Sequence, residues 1–237
     1  MHSPFSPLIP VDTLLLAYRS GIFPMADTRE DTEIFWVEPR DRAIIPLENL
    51  HISRSLRKVL RSDRYSVTIN RDFSNVIRAC SKPRPGHPES WISNRIIASY
   101  EQLHESGHAH SVECWLPEDN GEPVLAGGLY GVAFDSVFCG ESMFSRASDA
   151  SKVALCWLVA LMQNAGFTLL DCQFMTDHLA FMGAVEIPQQ DYLSLVSEAC
   201  GKTDKTLAQA YRDLVETARE GHSSPGKLIA QSLTQTS

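Results

Sequence analysis

The sequence holds no apolar run near the roughly 18 residues needed to cross a bilayer. Its start, MHSPFSPLIPVD, lacks the basic stretch and following apolar run of a secretory signal. Both lacks lead us to expect a cytoplasmic protein with no membrane partner. The six cysteines, Cys80, Cys114, Cys139, Cys156, Cys172 and Cys200, are widely spaced and form no CxxC pair. Neither a disulfide framework nor a redox motif is expected, and the thiols should be reduced. His104, His108, His110 and Cys114 match no closed zinc spacing, so no metal is expected. Internal repeats and low-complexity segments are missing as well. An excess of positive charge is also lacking: the formal net charge is −8. Contact with nucleic acid would therefore have to rest on a local patch.

What is present suits a soluble globular chain. A length of 237 residues with 43% hydrophobic and 21% charged content can bury a large core, as one domain or two unequal ones. Two stretches organise it. Val124–Arg146 reads as paired strands, and Thr168–His178 holds a buried strand, TLLDCQF. Between them SDASKVALCWLVALMQNAG reads as an amphipathic helix, capped by Ser148 or Asp149 and ended by Gly166. Strand, strand, helix, strand implies a half-open sheet with a cleft at its strand ends.

The rest of the chain is taken in order. Pro4, Pro7 and Pro10 keep the start irregular, and Asp12 is expected to cap a helix ended by Gly21. Ile34, Phe35 and Trp36 form either a small core or an aromatic wall. Arg42–Leu50 gives a strand and turn. In the helix that follows, Ile52, Leu56, Val59 and Leu60 make one face. Arg54, Arg57, Lys58, Arg61 and Arg64 gather on the other. In an acidic chain this stripe is either a solvated face or a clamp on phosphates. YSVTIN is a strand. RDFSNVIRACS is a helix begun by Asn70 or Asp72. The prolines of SKPRPGHPES, Pro83, Pro85 and Pro88, forbid regular structure. Trp91 begins the next helix, as a packing anchor or as a surface for a ligand ring. SVECWLP pairs across the turn PEDNGEP, and a second turn falls near Asp135-Ser136. A short helix ending at Gly183, a strand and helix through VEIPQQDYLSLVSEAC, and one last helix with a polar tail complete the chain.

Three constellations could carry chemistry. The histidines with Cys114 are set aside above. Cys139 near His178 would be a nucleophile, but nothing in the sequence lowers its pKa, and a buried thiol is the plainer reading. Glu141, Asp171 and Gln173 are the third. Asp171 and Gln173 are two apart on a strand and share a face, with Cys172 on the other. Such residues either pair with each other or line a cleft.

GIFPM, HISRSL, LHESGHAHSVECW, GGLYGVAFDSVFCGESMFSR, ASK, LLDCQ, DHLA and IPQQDYL together resemble the leucyl/phenylalanyl-tRNA–protein transferase family, over roughly residues 11–195. The resemblance implies an α/β (α+β) protein with an acetyltransferase-like (GNAT) C-terminal domain, residues 43–237, and a small N-terminal α/β domain, residues 1–42. It implies transfer of Leu, Phe and less well Met from aminoacyl-tRNA to the N-terminal α-amine of acceptor proteins beginning with Arg or Lys. That marks them for N-end rule degradation. It implies a monomer without cofactor. It points to Asp171, Gln173 and Glu141 as catalytic, to Trp91 and Phe138 at the substrate, and to Leu129, Met143, Leu155 and Leu170 as the amino-acid pocket. Arg54, Arg57, Lys58, Arg61 and Arg64 are the residues expected to meet tRNA. Glutamine is a very poor base, so Gln173 is read as an orienting partner held by Asp171. Phe138 and Glu141 have opposite strand parity, so lining one cleft would require a bulge near Gly140.

The chain departs from the family pattern at Met25, where some members have Trp, at Phe181, expected to be small, and at Gln189-Gln190 after Ile187-Pro188. These leave acceptor choice open between basic and acidic N-termini. Two rivals are an N-acyltransferase of the same fold using another donor and a non-catalytic tRNA-binding module. A CoA enzyme wants glycines where this chain has SMFSRASDASK, and a binding module would not need Asp171 with Gln173.

Overall fold

Alternation of apolar side chains along the long middle strands sends Val112, Cys114, Leu129 and Phe138 to one face of a sheet. Tyr130, Val132, Phe134 and Cys139 go to the other. Both faces are buried, so helices must cover both. The computed structural model describes residues 8–83, 89–118, 121–201 and 203–233. Pro4, Pro7, Pro85, Pro88, Asp119-Asn120 of the PEDNGEP turn and the last four residues of the tail lie outside them.

In chain order the elements are α1 (Val11–Arg19), β1 (Phe23–Met25), β2 (Phe35–Val37), β3 (Asp41–Ile45), a 3₁₀ turn at Leu47–Asn49, α2 (Arg54–Arg61), β4 (Ser66–Ile69), α3 (Phe73–Cys80), α4 (Asn94–Glu105), β5 (Ala109–Glu118), β6 (Gly121–Phe134), β7 (Val137–Ser145), α5 (Ala150–Ala165), β8 (Leu169–Gln173), α6 (Asp177–Phe181), β9 (Val185–Pro188), α7 (Gln189–Glu198), α8 (Leu207–Glu220) and α9 (Pro225–Ser232). β1 and β2 form a small ribbon. The main sheet has the order β4-β5-β6-β7-β8-β3-β9. Its one parallel pair is β7 with β8, joined by α5, the expected strand–helix–strand unit. β3, from the early chain, is inserted between β8 and β9 and runs antiparallel to both.

α2, α5, α8 and α9 cover one face, and α1, α3, α4 and α7 the other. Ile9, Leu14, Tyr18, Phe23 and Ala26 belong to the same buried cluster as Tyr100, Tyr130 and Tyr192. The start of the chain thus packs directly on the main sheet.

Several expectations need correcting. α5 is not amphipathic. Val153, Leu155, Trp157, Leu158, Leu161 and Met162 are buried on all sides, because α2, α8 and α9 lie over it. Each such side chain contributes on the order of 1.5–3 kcal/mol. Asp149 stands at its N-cap in the left-handed region (φ 64°) and makes no capping bond there. It pairs with Lys152 at 2.9 Å instead. Asp12 does not cap α1, which begins at Pro10 with no side-chain cap. Asp72, not Asn70, caps α3. Arg64 lies beyond the end of α2, after a turn at Asp63 (φ 46°). The final stretch holds a second helix, α9, capped by Ser224 with Pro225 opening it.

Candidate active site

β7 and β8 pair only through Val137–Cys139 and Leu169–Asp171. Beyond that point they diverge, and a cleft of about 850 Å³ opens in the gap. Because it passes through the splayed sheet, residues of both faces line it. Leu129, Met143, Leu155 and Leu170 come from the α5 side, and Tyr130, Glu141 and Phe144 from the other.

A bulge sets this up. Tyr130 pairs with Ser142 and Gly131 with Gly140, so Glu141 is the extra residue with no partner across the strand. A bulge was expected here only if Phe138 and Glu141 lined one cleft; the bulge is present, but it does not bring Phe138 into the cleft. Phe138 stays fully buried on the α5 face and is not among the cleft's walls. What the bulge changes is Met143, which moves to the α5 face beside Leu129.

Glu141 is 7% exposed and held by three neighbours. The Tyr18 hydroxyl donates to its Oε1 at 2.7 Å, the Gln173 Nε2 donates to the same oxygen at 2.8 Å, and the Tyr100 hydroxyl lies 3.4 Å from Oε2. The Tyr18 and Tyr100 hydroxyls also bond to each other. Burial raises the Glu141 pKa to about 7, against the lowering effect of the Tyr18 and Gln173 hydrogen bonds. Burial also keeps both tyrosines protonated, since it raises them well above their ordinary value.

Asp171 is fully buried and does not line the cleft. It accepts from Arg42 Nε at 2.8 Å, from Arg42 Nη2 at 2.5 Å and from the Tyr192 hydroxyl at 3.2 Å. Arg42 is also fully buried. Its Nη1 donates to the Gly21 carbonyl at 2.9 Å, and its guanidinium lies between the rings of Tyr192 (4.3 Å) and Phe23 (5.0 Å). The carboxylate of Asp171 therefore has little left for substrate. Its Oδ1 takes the backbone N–H of Gln173 at 2.8 Å, where the chain turns into the left-handed region (φ 63°). Asp171 thus holds the Gln173 backbone, and the Gln173 side chain reaches Glu141.

Trp91, Glu141, Gln173, Leu129, Met143, Leu155 and Leu170 all meet at this cleft. Cys172, Phe174 and His178 join them. Among the described residues the buried His178 Nε2 has no hydrogen-bond partner, and neither has the Tyr130 hydroxyl. Cys139 is fully buried, 3.9 Å from the Tyr192 hydroxyl, and burial pushes its thiol well up, so it is no nucleophile. Phe181, expected to be a small residue, is not a wall of the cleft. It is 52% exposed and meets His51 edge-on. Met25 is not a wall of the cleft. Gln189 donates its Nε2 to the Gly21 carbonyl at 3.0 Å, beside Arg42. Arg54, Lys58, Arg61 and Arg64 are exposed and Arg57 half-buried, and none is in an ion pair among the described residues. Those residues also hold no group of three metal-ligating side chains and no helix long and apolar enough to cross a membrane.

Arg42, Tyr18, Tyr100 and Tyr192 are the residues missed from sequence. Arg42 left one signal, a lone cation inside the apolar strand DRAII. The tyrosines left none, since each sits on the apolar face of a helix.

A family model described as leucyl/phenylalanyl-tRNA protein transferase matches residues 44–197, and the model of that family's N-terminal domain matches residues 9–40. A leucyl/phenylalanyl-tRNA–protein transferase of Novosphingobium aromaticivorans is 53% identical over 97% of each chain. Its namesake from Zymomonas mobilis is 56% identical over 81% of this chain and 70% of that one. The solved structure of FemX overlaps at a TM-score of 0.49 and 12% identity, over 67% of this chain and 64% of that one, too loosely to define the fold. The chain belongs to the leucyl/phenylalanyl-tRNA protein transferase family.

Proposed function

We propose that this protein transfers Leu, Phe and, less well, Met from aminoacyl-tRNA to the N-terminal α-amine of proteins beginning with Arg or Lys. The family and its relatives' names support the donor. The observation that carries the chemistry is Glu141, a buried carboxylate with pKa near 7 held against the Gln173 amide beside an apolar pocket.

The donor is an ester on the terminal adenosine. Leu129, Met143, Leu155 and Leu170 offer the amino-acid side chain a dry recess, and a flexible Met lets it take Leu, Phe or Met. Trp91 offers its ring to the adenosine. The Gln173 Nε2 is spent on Glu141, so its amide oxygen is left to accept an N–H of the incoming amine. Glu141 takes the proton as the amine attacks the ester carbon. The tetrahedral intermediate then collapses, the ester C–O bond breaks, and the proton passes to the leaving ribose oxygen. A carboxylate with pKa near 7 suits both steps. Asp171 and Arg42 position Gln173 and do not touch the substrate. The negative Glu141 favours a cationic N-terminus.

The splayed strands β7 and β8 favour a GNAT-like reading for residues 43–237, with residues 1–42 as a small domain laid against that sheet. The expected setting is cytoplasmic, as a monomer, in N-end rule degradation. Transfer of labelled leucine from leucyl-tRNA to peptides beginning with Arg, Lys, Asp or Glu tests the reading. Label on Arg and Lys peptides is expected. Label on acidic peptides alone would replace the acceptor rule, and no label on any peptide would overturn the activity.

A further inference from the structure

Ile34, Phe35 and Trp36, open in the sequence between a small core and an aromatic wall, divide in the structure. Ile34 and Val37 pack on the buried cluster that holds Tyr18 and Tyr100, while Phe35 and Trp36 are 43% and 40% exposed. β2 pairs with β1 alone, as Phe23 with Val37, Pro24 with Trp36 and Met25 with Phe35. Residues facing each other in an antiparallel pair alternate between exchanging both backbone bonds and exchanging none. Pro24 has no N–H, so its pair with Trp36 is of the second kind. The N–H and C=O of Trp36 therefore face away from β1, and among the described residues neither meets a partner. By strand alternation the Phe35 ring lies on one face of the ribbon and the Trp36 ring on the other.

Such an edge is a template for another strand, and proteins usually guard it. The main sheet does. The Tyr211 hydroxyl donates to the Val67 carbonyl of β4 at 2.9 Å, and β9 ends at Pro188. β2 carries neither proline nor lysine. It is flanked by Glu33 and Glu38, both exposed and outside the ion pairs of the described residues. Residues 27–41 hold six carboxylates against two arginines, so a basic segment is drawn to this ribbon. The ribbon also borders the cleft. The Phe23 ring meets Phe174 edge-on at 5.7 Å, the Ala26 N–H donates to the Trp91 carbonyl at 3.2 Å, and Phe174 and Trp91 are both cleft walls.

We propose that the free edge of β2 docks the acceptor protein, whose extended segment behind the N-terminal residue adds as a further strand beside Phe35–Val37. This rests on the acceptor named under the proposed function. Main-chain bonds at Trp36 read no side chain, which suits acceptors of many sequences. The rings of Phe35 and Trp36 cover alternate side chains of the added strand, and Glu33 and Glu38 favour basic residues within it.

The test uses the full chain and a fluorescent peptide that begins with Arg, continues in apolar residues and lysine, and carries its dye at the C-terminus. Its Kd is read by anisotropy with no donor present, so the result does not depend on transfer. N-methylation, moved along the peptide one residue at a time, is expected to weaken binding about two- to tenfold at alternate residues and little between them. That measurement needs no altered protein. Trp36→Ala is expected to weaken binding about two- to tenfold. Glu33→Lys with Glu38→Lys should weaken it about fivefold at low salt. Thermal unfolding checks the fold of both variants. In transfer, KM for the peptide should rise by the same factors, while kcat, KM for leucyl-tRNA and KM for arginine amide, which ends before the ribbon, stay within about twofold. Binding that follows these rules without any transfer would keep the site and strike the activity. No peptide binding by the unaltered protein, losses on N-methylation without alternation, unchanged affinity in both variants, or equal losses with arginine amide would each overturn the site. So would a dimer in sedimentation that is lost in Trp36→Ala, since the edge would then belong to a second copy.

Discussion

Glu141 is a carboxylate kept from water, and its chemistry depends on that. As the proposed base it must be ionised, so kcat is expected to rise with pH through about 7. Glu141→Gln keeps an oxygen for Tyr18 and Gln173 but cannot take a proton. It should lose the acid limb of the pH–rate profile and about 10²–10⁴ in kcat. A variant with the same limb would take Glu141 out of proton transfer. The same group has a stability signature. Its folded pKa lies above the unfolded value of 4.5, so the folded state favours the protonated form. That contribution is full below about pH 4.5 and is lost as pH rises through about 7, by up to about 3 kcal/mol. Urea unfolding at several pH values, compared with Glu141→Gln, should show the difference.

The Arg42–Asp171 pair is judged by other rules. Both groups are fully buried and joined by two hydrogen bonds. Arg42→Met strands the carboxylate and is expected to cost about 3–5 kcal/mol. Adding Asp171→Asn should return part of that, and urea midpoints will show whether it does. Asp171 was legible in the sequence as a polar residue at a strand end. Its partner was not, because the pair spans 129 positions and no local pattern joins them.

At the scale of elements, the bulge in β7 was expected only on the condition that Phe138 and Glu141 share one cleft, a condition that Phe138 does not meet. Its beneficiary was not legible. It is Met143 that changes face, while Phe138 stays in the core. The bulge leans on Gly131, where an added Cβ would strike the Cys139 carbonyl and the Phe138 ring. Gly131→Ala is expected to cost about 1–3 kcal/mol or more. It should also lower kcat by moving Glu141, whereas a loss of stability with unchanged kcat would show that the bulge tolerates the strain. α5 was found in the sequence but misjudged, since its near-continuous apolar content is explained only by α2, α8 and α9 lying over it. α9 escaped notice because its eight residues follow a polar turn and are opened by Pro225-Gly226, which read as a continuation of that turn.

At the scale of the whole molecule, the proposed function asks an acidic chain to hold an acidic polymer. Local patches would meet that demand, and cations gather on α2. Log kcat/KM for leucyl-tRNA should fall with log salt, and Arg54→Ala with Arg61→Ala should flatten that slope by about 1–2. Both residues are exposed, so folding should be unaffected. A slope equal to that of the unaltered protein would remove α2 from the tRNA surface.

The insertion of β3 between β8 and β9 bears on how the protein is made. Ile45 pairs with Leu170 and Asp41 with Pro188, so during synthesis the strand waits on the ribosome until most of the chain has emerged. Until then its edges are bare and Arg42 has no counter-ion. The candidate site is therefore assembled only after β8 and β9 have been made. Contacts this distant in sequence also favour slow folding and leave the unfinished sheet in need of protection from aggregation.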